Sequence, residues 1–259
     1  MYLHNVNPSV KALTILGLVF VLAFLFDPIT PLLYVVWTVL ITMLFGSFRK
    51  KYYFIYLFTF FIFAFGMLWS SIAFADAPGS PADQISLLGI GVPREDLLTA
   101  LSLSLRIIAF ASLSLLFIFT TNMVQFILSL IQQLKLPPKL AYGILAGYRS
   151  LPLMKTEFQQ IRAAHRIRGM NHASTFKEKV KQYKRFVIPL LAGAIRKAER
   201  TAIAMESKGF TGERNRTYYH NLYVTKKDWL FPLLMFTALG VLITLSIVFN
   251  YFTWYNGQL

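Results

Sequence analysis

Cysteine is absent from all 259 residues, which removes disulfides, thiolate nucleophiles and Cys-ligated metals as possibilities. Acidic side chains are scarce, with 11 Asp+Glu against 26 Lys+Arg. The five that lie outside the basic region (Asp27, Asp76, Asp83, Glu95 and Asp96) form no acid–base or metal pattern. The four histidines, His4, His165, His172 and His220, have no metal-ligand spacing. The chain contains no G-x-x-x-x-G-K-S/T phosphate loop, no H-E-x-x-H and no G-x-S-x-G; Gly89-Ile90-Gly91 is a lone G-x-G in a loop. A catalytic site, a metal site and a bound cofactor are therefore not expected, and any ATP this protein depends on must bind to another subunit. No β-rich run stands out, so the expected fold is all-α.

Apolar residues dominate instead. Hydrophobic side chains make up 56% of the chain, charged ones only 14%, and 24 residues are Phe, far from the composition of an ordinary soluble domain. Three apolar runs, Tyr52–Phe74, Leu97–Phe119 and Trp229–Tyr251, have about the ~20 residues a helix needs to cross hydrocarbon. Ala12–Phe26 and Pro31–Phe45 are shorter; they either cross as a close pair or form a re-entrant hairpin about Asp27-Pro28. Five crossings is the expected count. No small-x-small cleavage site follows Phe26, so the first run is expected to be a retained span.

Charge sets the expected orientation. From Lys135 to Asp228 there are 20 Lys+Arg and 6 Asp+Glu, which gives +14 of the chain's +15. Arg49, Lys50 and Lys51 form the other basic cluster. The Ala75–Asp96 loop is acidic, and nothing after Tyr251 is charged. The positive-inside rule then places the N-terminus, the Arg49 cluster and Lys135–Asp228 in the cytoplasm. Three regions follow: membrane helices over 1–119, a cytoplasmic or interfacial region over 120–228, and a last membrane helix with its tail over 229–259.

Within the middle region, Thr120-Thr121-Asn122 caps an amphipathic segment, Met123–Leu134. Leu136-Pro137-Pro138 breaks it. A second helix is expected from about Lys139 to Arg168, bent near Pro152, and a third from about Phe176 to Lys208, kinked at Pro189. The polar stretch Met170–Thr175 turns the chain between them. The basic run Lys177–Arg185 suits a surface near anionic lipid, and the nearly uncharged Val187–Ile195 suits packing on another helix or the interface. Nucleic acid is not expected as a partner, because no reader motif occurs and membrane topology accounts for the charge.

The most informative pattern is a pair of basic-Gly helix ends, Ala164-x-x-x-Arg168-Gly169 and Ala204-x-x-x-Lys208-Gly209, set 40 residues apart (168 to 208). Residues i and i+4 share a helix face, so each alanine leaves a shallow spot beside its cation. Glycine lets the chain leave through a left-handed cap. Ordinary helix termination would also favour a cation followed by glycine. The repetition of the whole unit favours two exposed tips that transmit rather than catalyse. Arg106 is the other outstanding residue: an ionisable group inside an apolar span is either functional, snorkelling or paired with a backbone carbonyl.

These strings resemble the transmembrane T component (EcfT) of energy-coupling-factor transporters, ABC-type importers of vitamins and some metal ions. The similarity runs from Thr120-Thr121 through Leu136-Pro137, Arg149 and Leu151-Pro152 to Ala164 and Arg168-Gly169, and resumes over Ala202–Phe210. Asn7-Pro8 with Lys11 fits the family's start. The family signatures read Ala-Arg-Gly; here they are Ile167-Arg168-Gly169 and Ser207-Lys208-Gly209, and lysine offers a point charge where arginine offers a planar fork.

The resemblance implies a non-catalytic scaffold in a bacterial plasma membrane, with long cytoplasmic coupling helices seated on two ABC ATPase subunits. Ala164, Arg166, Arg168 and Gly169 would meet one ATPase, and Ala204, Glu206, Lys208 and Gly209 the other. A separate small membrane subunit would bind the substrate. The rival reading is an ordinary ABC permease with its own substrate path, which needs polar residues lining several spans.

Overall fold

The computed structural model describes residues 2–73, 84–87, 90–169, 175–214 and 217–249. Asp76, Asp83, Gly89, His172, the turn residues 170–174 and the tail beyond Phe249 lie outside them. The chain divides into two compact units, Met1–Ser129 with Leu222–Leu259, and Leu130–Asn221.

The first unit is a bundle of apolar helices. A short α1 (Tyr2–Asn5) leads into α2 (Pro8–Ala23). Pro8 occupies the first turn, where its missing N–H costs nothing, and the Asn7 side chain caps the helix by accepting from Ser9 N at 3.1 Å. Next come α3 (Ile29–Phe45), α4 (Lys50–Ala73), α5 (Arg94–Thr120), and, after the second unit, α9 (Leu230–Val248). Between α4 and α5 the expected loop contains a short antiparallel ribbon, β1 (Gln84–Leu87) on β2 (Ile90–Pro93), with Gln84 opposite Pro93. Otherwise the fold is all-α as expected.

Among the described residues, three helices are long and apolar enough to cross a membrane: Lys50–Ala73, Leu97–Thr120 and Leu230–Val248. The apolar α2 and α3 have 16 and 17 residues, roughly 24–26 Å at 1.5 Å per residue. Helix α5 is central and packs on α2, α3 and α4, while α9 packs on α2 and α3. Leu18, Leu22, Tyr34, Leu113, Leu116 and Met235 fill the core. By contrast α4 buries only Tyr53 and Ala64, and the rest of its aromatic surface is available to lipid.

The second unit is built on α7 (Pro138–Ile167) and α8 (Phe176–Ser207). Helix α6 (Met123–Gln133) leads into it. Both long helices run unbroken through Pro152 and Pro189, so each proline removes one backbone bond without ending its helix. Contacts between α7 and its partner strand of chain fix an antiparallel register. The Tyr142 ring meets Phe210 at 5.4 Å, Lys139 lies against Gly212, Glu157 reaches Gly193 and pairs with Lys197, and Phe158 and His165 flank Phe186 at 6.0 and 5.2 Å. As residue numbers rise along α7, their partners' numbers fall.

Candidate functional site

Each basic-Gly end has a defined cap. Arg168 closes α7 with its N–H on the Ala164 carbonyl at 3.2 Å, and Gly169 follows at φ +74°, its N–H on the Arg166 carbonyl at 3.1 Å. Lys208 closes α8, Gly209 follows at φ +80°, and here the full double-bonded cap forms. Gly209 N donates to the Glu206 carbonyl at 2.9 Å and Phe210 N reaches back to the Met205 carbonyl at 3.0 Å. A Cβ at Gly169 or Gly209 would meet nothing within 4 Å, so backbone conformation rather than space selects glycine.

All eight residues of the two tips are exposed: Ala164, Arg166, Arg168, Gly169, Ala204, Glu206, Lys208 and Gly209. Among the described residues, the ion pair found is Lys197–Glu157, and neither Arg168 nor Lys208 takes part in one. Ile167, where the family signature has alanine, is 87% exposed, a large apolar side chain left in the open beside a free cation.

The antiparallel register separates these tips. Tyr142 lies beside Phe210, next to the Lys208 end, while Arg168 ends the opposite extremity of α7. From Tyr142 to Arg168 is roughly 39 Å along the helix at 1.5 Å per residue. The two cations therefore cannot act on one ligand. Each end of the antiparallel pair carries one exposed cation followed by a left-handed glycine.

Arg106 sits elsewhere, in the first unit, and is buried. Its guanidinium donates to the Leu25 carbonyl and lies over the Phe26 ring, 4.4 Å from the centroid. Nearby Asp27 is fully buried: its Oδ2 accepts from Thr30 N at 2.9 Å and from the Ser246 hydroxyl at 2.8 Å, and its carbonyl accepts from Ser102. The turn between α2 and α3 is thereby tied to α5 and α9.

A second polar cluster escaped sequence reasoning altogether. Lys11 has no exposed surface, and its ammonium donates to the Leu3 carbonyl at 2.7 Å, the Thr120 carbonyl at 3.1 Å, and the Thr120 and Thr121 hydroxyls at 3.2 and 3.3 Å. Asn7 N donates to Asp228 Oδ1 at 3.0 Å, and Asp228 Oδ2 accepts from Thr225 N and Oγ1 at 2.7 and 2.8 Å. These bonds fix the entry to α2, the exit of α5 and the entry to α9. Asn7 and Lys11 are the residues of the N-terminal motif, which was the one available signal. Close by, His4 Nε2 accepts from Ser47 N at 3.0 Å. Burial, then the positive charge of Lys11, holds the His4 imidazole below its ordinary pKa. Among the described residues, no three His, Asp or Glu side chains are grouped to hold a metal ion.

Several known proteins are similar to this chain in sequence. The sequence profile of the CbiQ family, described as cobalt transport protein, matches residues 1–219. The chain is similar to the energy-coupling factor transporter transmembrane protein EcfT of Macrococcus caseolyticus, 31% identical over 148 residues that cover 54% of each chain. The EcfT protein of Bacillus subtilis is 31% identical over 140 residues, 51% of this chain and 53% of its own. That of Acidaminococcus fermentans is 30% identical over 162 residues, 60% of each. The chain thus spans about half the length of the curated relatives it matches.

Proposed function

The chain belongs to the CbiQ cobalt transport family, the family of energy-coupling-factor T components, and from that premise we propose that it is a non-catalytic membrane scaffold coupling partner ATPases to substrate import. In this reading α7 and α8 are the coupling helices. Two ABC ATPase subunits bind ATP, and a small membrane subunit binds a vitamin or metal ion. The N-terminus and the α6–α8 region lie in the cytoplasm of a bacterial cell, in keeping with their excess of Lys and Arg.

One observation carries the proposal. Both exposed cation-glycine tips leave their helix through a left-handed glycine, and they stand roughly 40 Å apart at opposite ends of one antiparallel pair, an arrangement suited to two separate partners and to no single small ligand. Arg168 and Lys208 each supply charge-assisted hydrogen bonds, worth about 1.5–3 kcal/mol apiece, to acidic or carbonyl groups of an ATPase groove. The pair then moves as a rigid body when the nucleotide-bound subunits open and close. Within the first unit, Lys11, Thr38, Arg106 and Asp27 bond to carbonyls or hydroxyls of the same unit, which favours cargo recognition by a partner over a substrate path through this chain.

The test is the Arg168→Ala/Lys208→Ala double variant in membranes. Co-purification of nucleotide-binding subunits should weaken, or ATP hydrolysis should continue without uptake. Wild-type uptake with wild-type attachment would overturn the reading.

A further inference from the structure

Helix α8 presents two apolar faces, and among the described residues one of them has a partner within its unit. Phe186 is buried between Phe158 and His165 of α7. A different stripe, formed by Phe176, Val180, Tyr183 and Val187, follows the i, i+4, i+7, i+11 spacing of one helix face, with Ile188 on its flank. It lines a shallow open trough together with Lys184. Phe176 is 79% exposed, Tyr183 67% and Ile188 65%, an unfavourable surface to leave in water.

Charge indicates what covers it. Between Phe176 and Ile188 there are five Lys or Arg and one acid, a net +4. Lys177 and Lys184 are exposed and seven residues apart, on the border of the stripe. An aromatic and aliphatic face edged by cations is the pattern of a helix lying in the headgroup region of an anionic leaflet. A protein groove lined with acids would neutralise the cations but leave the rings unserved.

We propose that the N-terminal half of α8 docks on anionic phospholipid, its Phe176–Ile188 stripe in the acyl boundary and its lysines on the headgroups. The proposal shares with the reading above only the cytoplasmic placement of this region; it does not require ATPase binding at the tips. The register sets the start of α8 beside the Arg168 end of α7, so the lipid contact lies at the Arg168 extremity of the pair.

The absence of cysteine makes the test direct, since a single introduced thiol is the only one among these 259 residues. Nitroxide labels on Tyr183→Cys and, as an independent position, Val180→Cys are compared with Gln182→Cys in discs of phosphatidylcholine with and without phosphatidylglycerol. With phosphatidylglycerol, the stripe labels should become several-fold more accessible to oxygen than to a water-soluble nickel complex, and the Gln182 label should not. Lys177→Gln and Lys184→Gln should each lower the docked-to-undocked ratio about fivefold. Stripe labels as wet as the Gln182 label in both lipids would overturn the proposal. So would shielding indifferent to lipid charge, or shielding that appears only when a second membrane protein is bound. An uptake defect in the Arg168/Lys208 variant with none of these lipid effects would sink this inference and leave the coupling reading standing.

Discussion

Replacing Lys11 by Met tests the polar clamp at the base of the bundle. The side chains are similar in length, so packing is nearly kept while the ammonium is lost. Three donors are removed from four acceptors. The Thr120 hydroxyl retains a bond of its own, donating to the Leu116 carbonyl at 2.6 Å, but the Leu3 and Thr120 carbonyls are left dry. Each stranded buried acceptor costs about 1–3 kcal/mol. Lys11 also sits against the C-terminus of α5, where a cation is favoured by about 0.3–1 kcal/mol through the helix dipole. Release from desolvating the ammonium offsets part of this sum, so we expect a net loss of about 3 kcal/mol. For a chain of this size, about 2–4 °C per kcal/mol gives an apparent Tm lowered by about 6–12 °C, followed by intrinsic tryptophan fluorescence in detergent. A Lys11→Met protein melting within about 2 °C of wild type would refute the argument that these bonds hold α1, α2 and α5 together.

Three further outcomes are expected. Gly209→Ala should cost about 1–2 kcal/mol, because alanine must adopt a left-handed φ although its methyl has room; hydrogen exchange of the Phe210 amide should quicken, and Gly209→Asn should be milder. A double-mutant cycle on Glu157 and Lys197 should return less than about 1 kcal/mol, since the lysine is half exposed. The His4 imidazole is held below its ordinary pKa, so its contribution is complete above about pH 6.5 and is lost as pH falls through the lower folded value; the wild-type Tm should drop on acidification across that window more than that of His4→Gln.

Local punctuation made α7 and α8 legible. Pro137-Pro138 and Gly169 bound one, Thr175 and Gly209 the other, and the expected ends fall within a residue of Pro138–Ile167 and Phe176–Ser207. Thr175 N donating to Glu178 at 3.3 Å is half of the cap such a Thr-x-x-Glu start allows. The exposure of the tips was expected from the repeated Ala-x-x-x-cation-Gly unit, and all eight of their residues are exposed. Long-range pairing did not: Asn7 meets Asp228 across 221 positions, and nothing in a period of 3.6 residues specifies that partner. Asp27 was expected at a turn, which is where it lies, but its burial under α5 and α9 depends on Ser102 and Ser246, which no local pattern connects to it. Arg106 had three open fates, and the carbonyl of Leu25 with the ring of Phe26 is where its charge rests.

The opposed arrangement of α7 and α8 turns residue count into length. Adding or removing whole turns in both helices would slide the two cationic ends apart or together by about 5.4 Å per turn while leaving every packed face in phase. The spacing between the two cationic ends can thus change without redesign of either helix end.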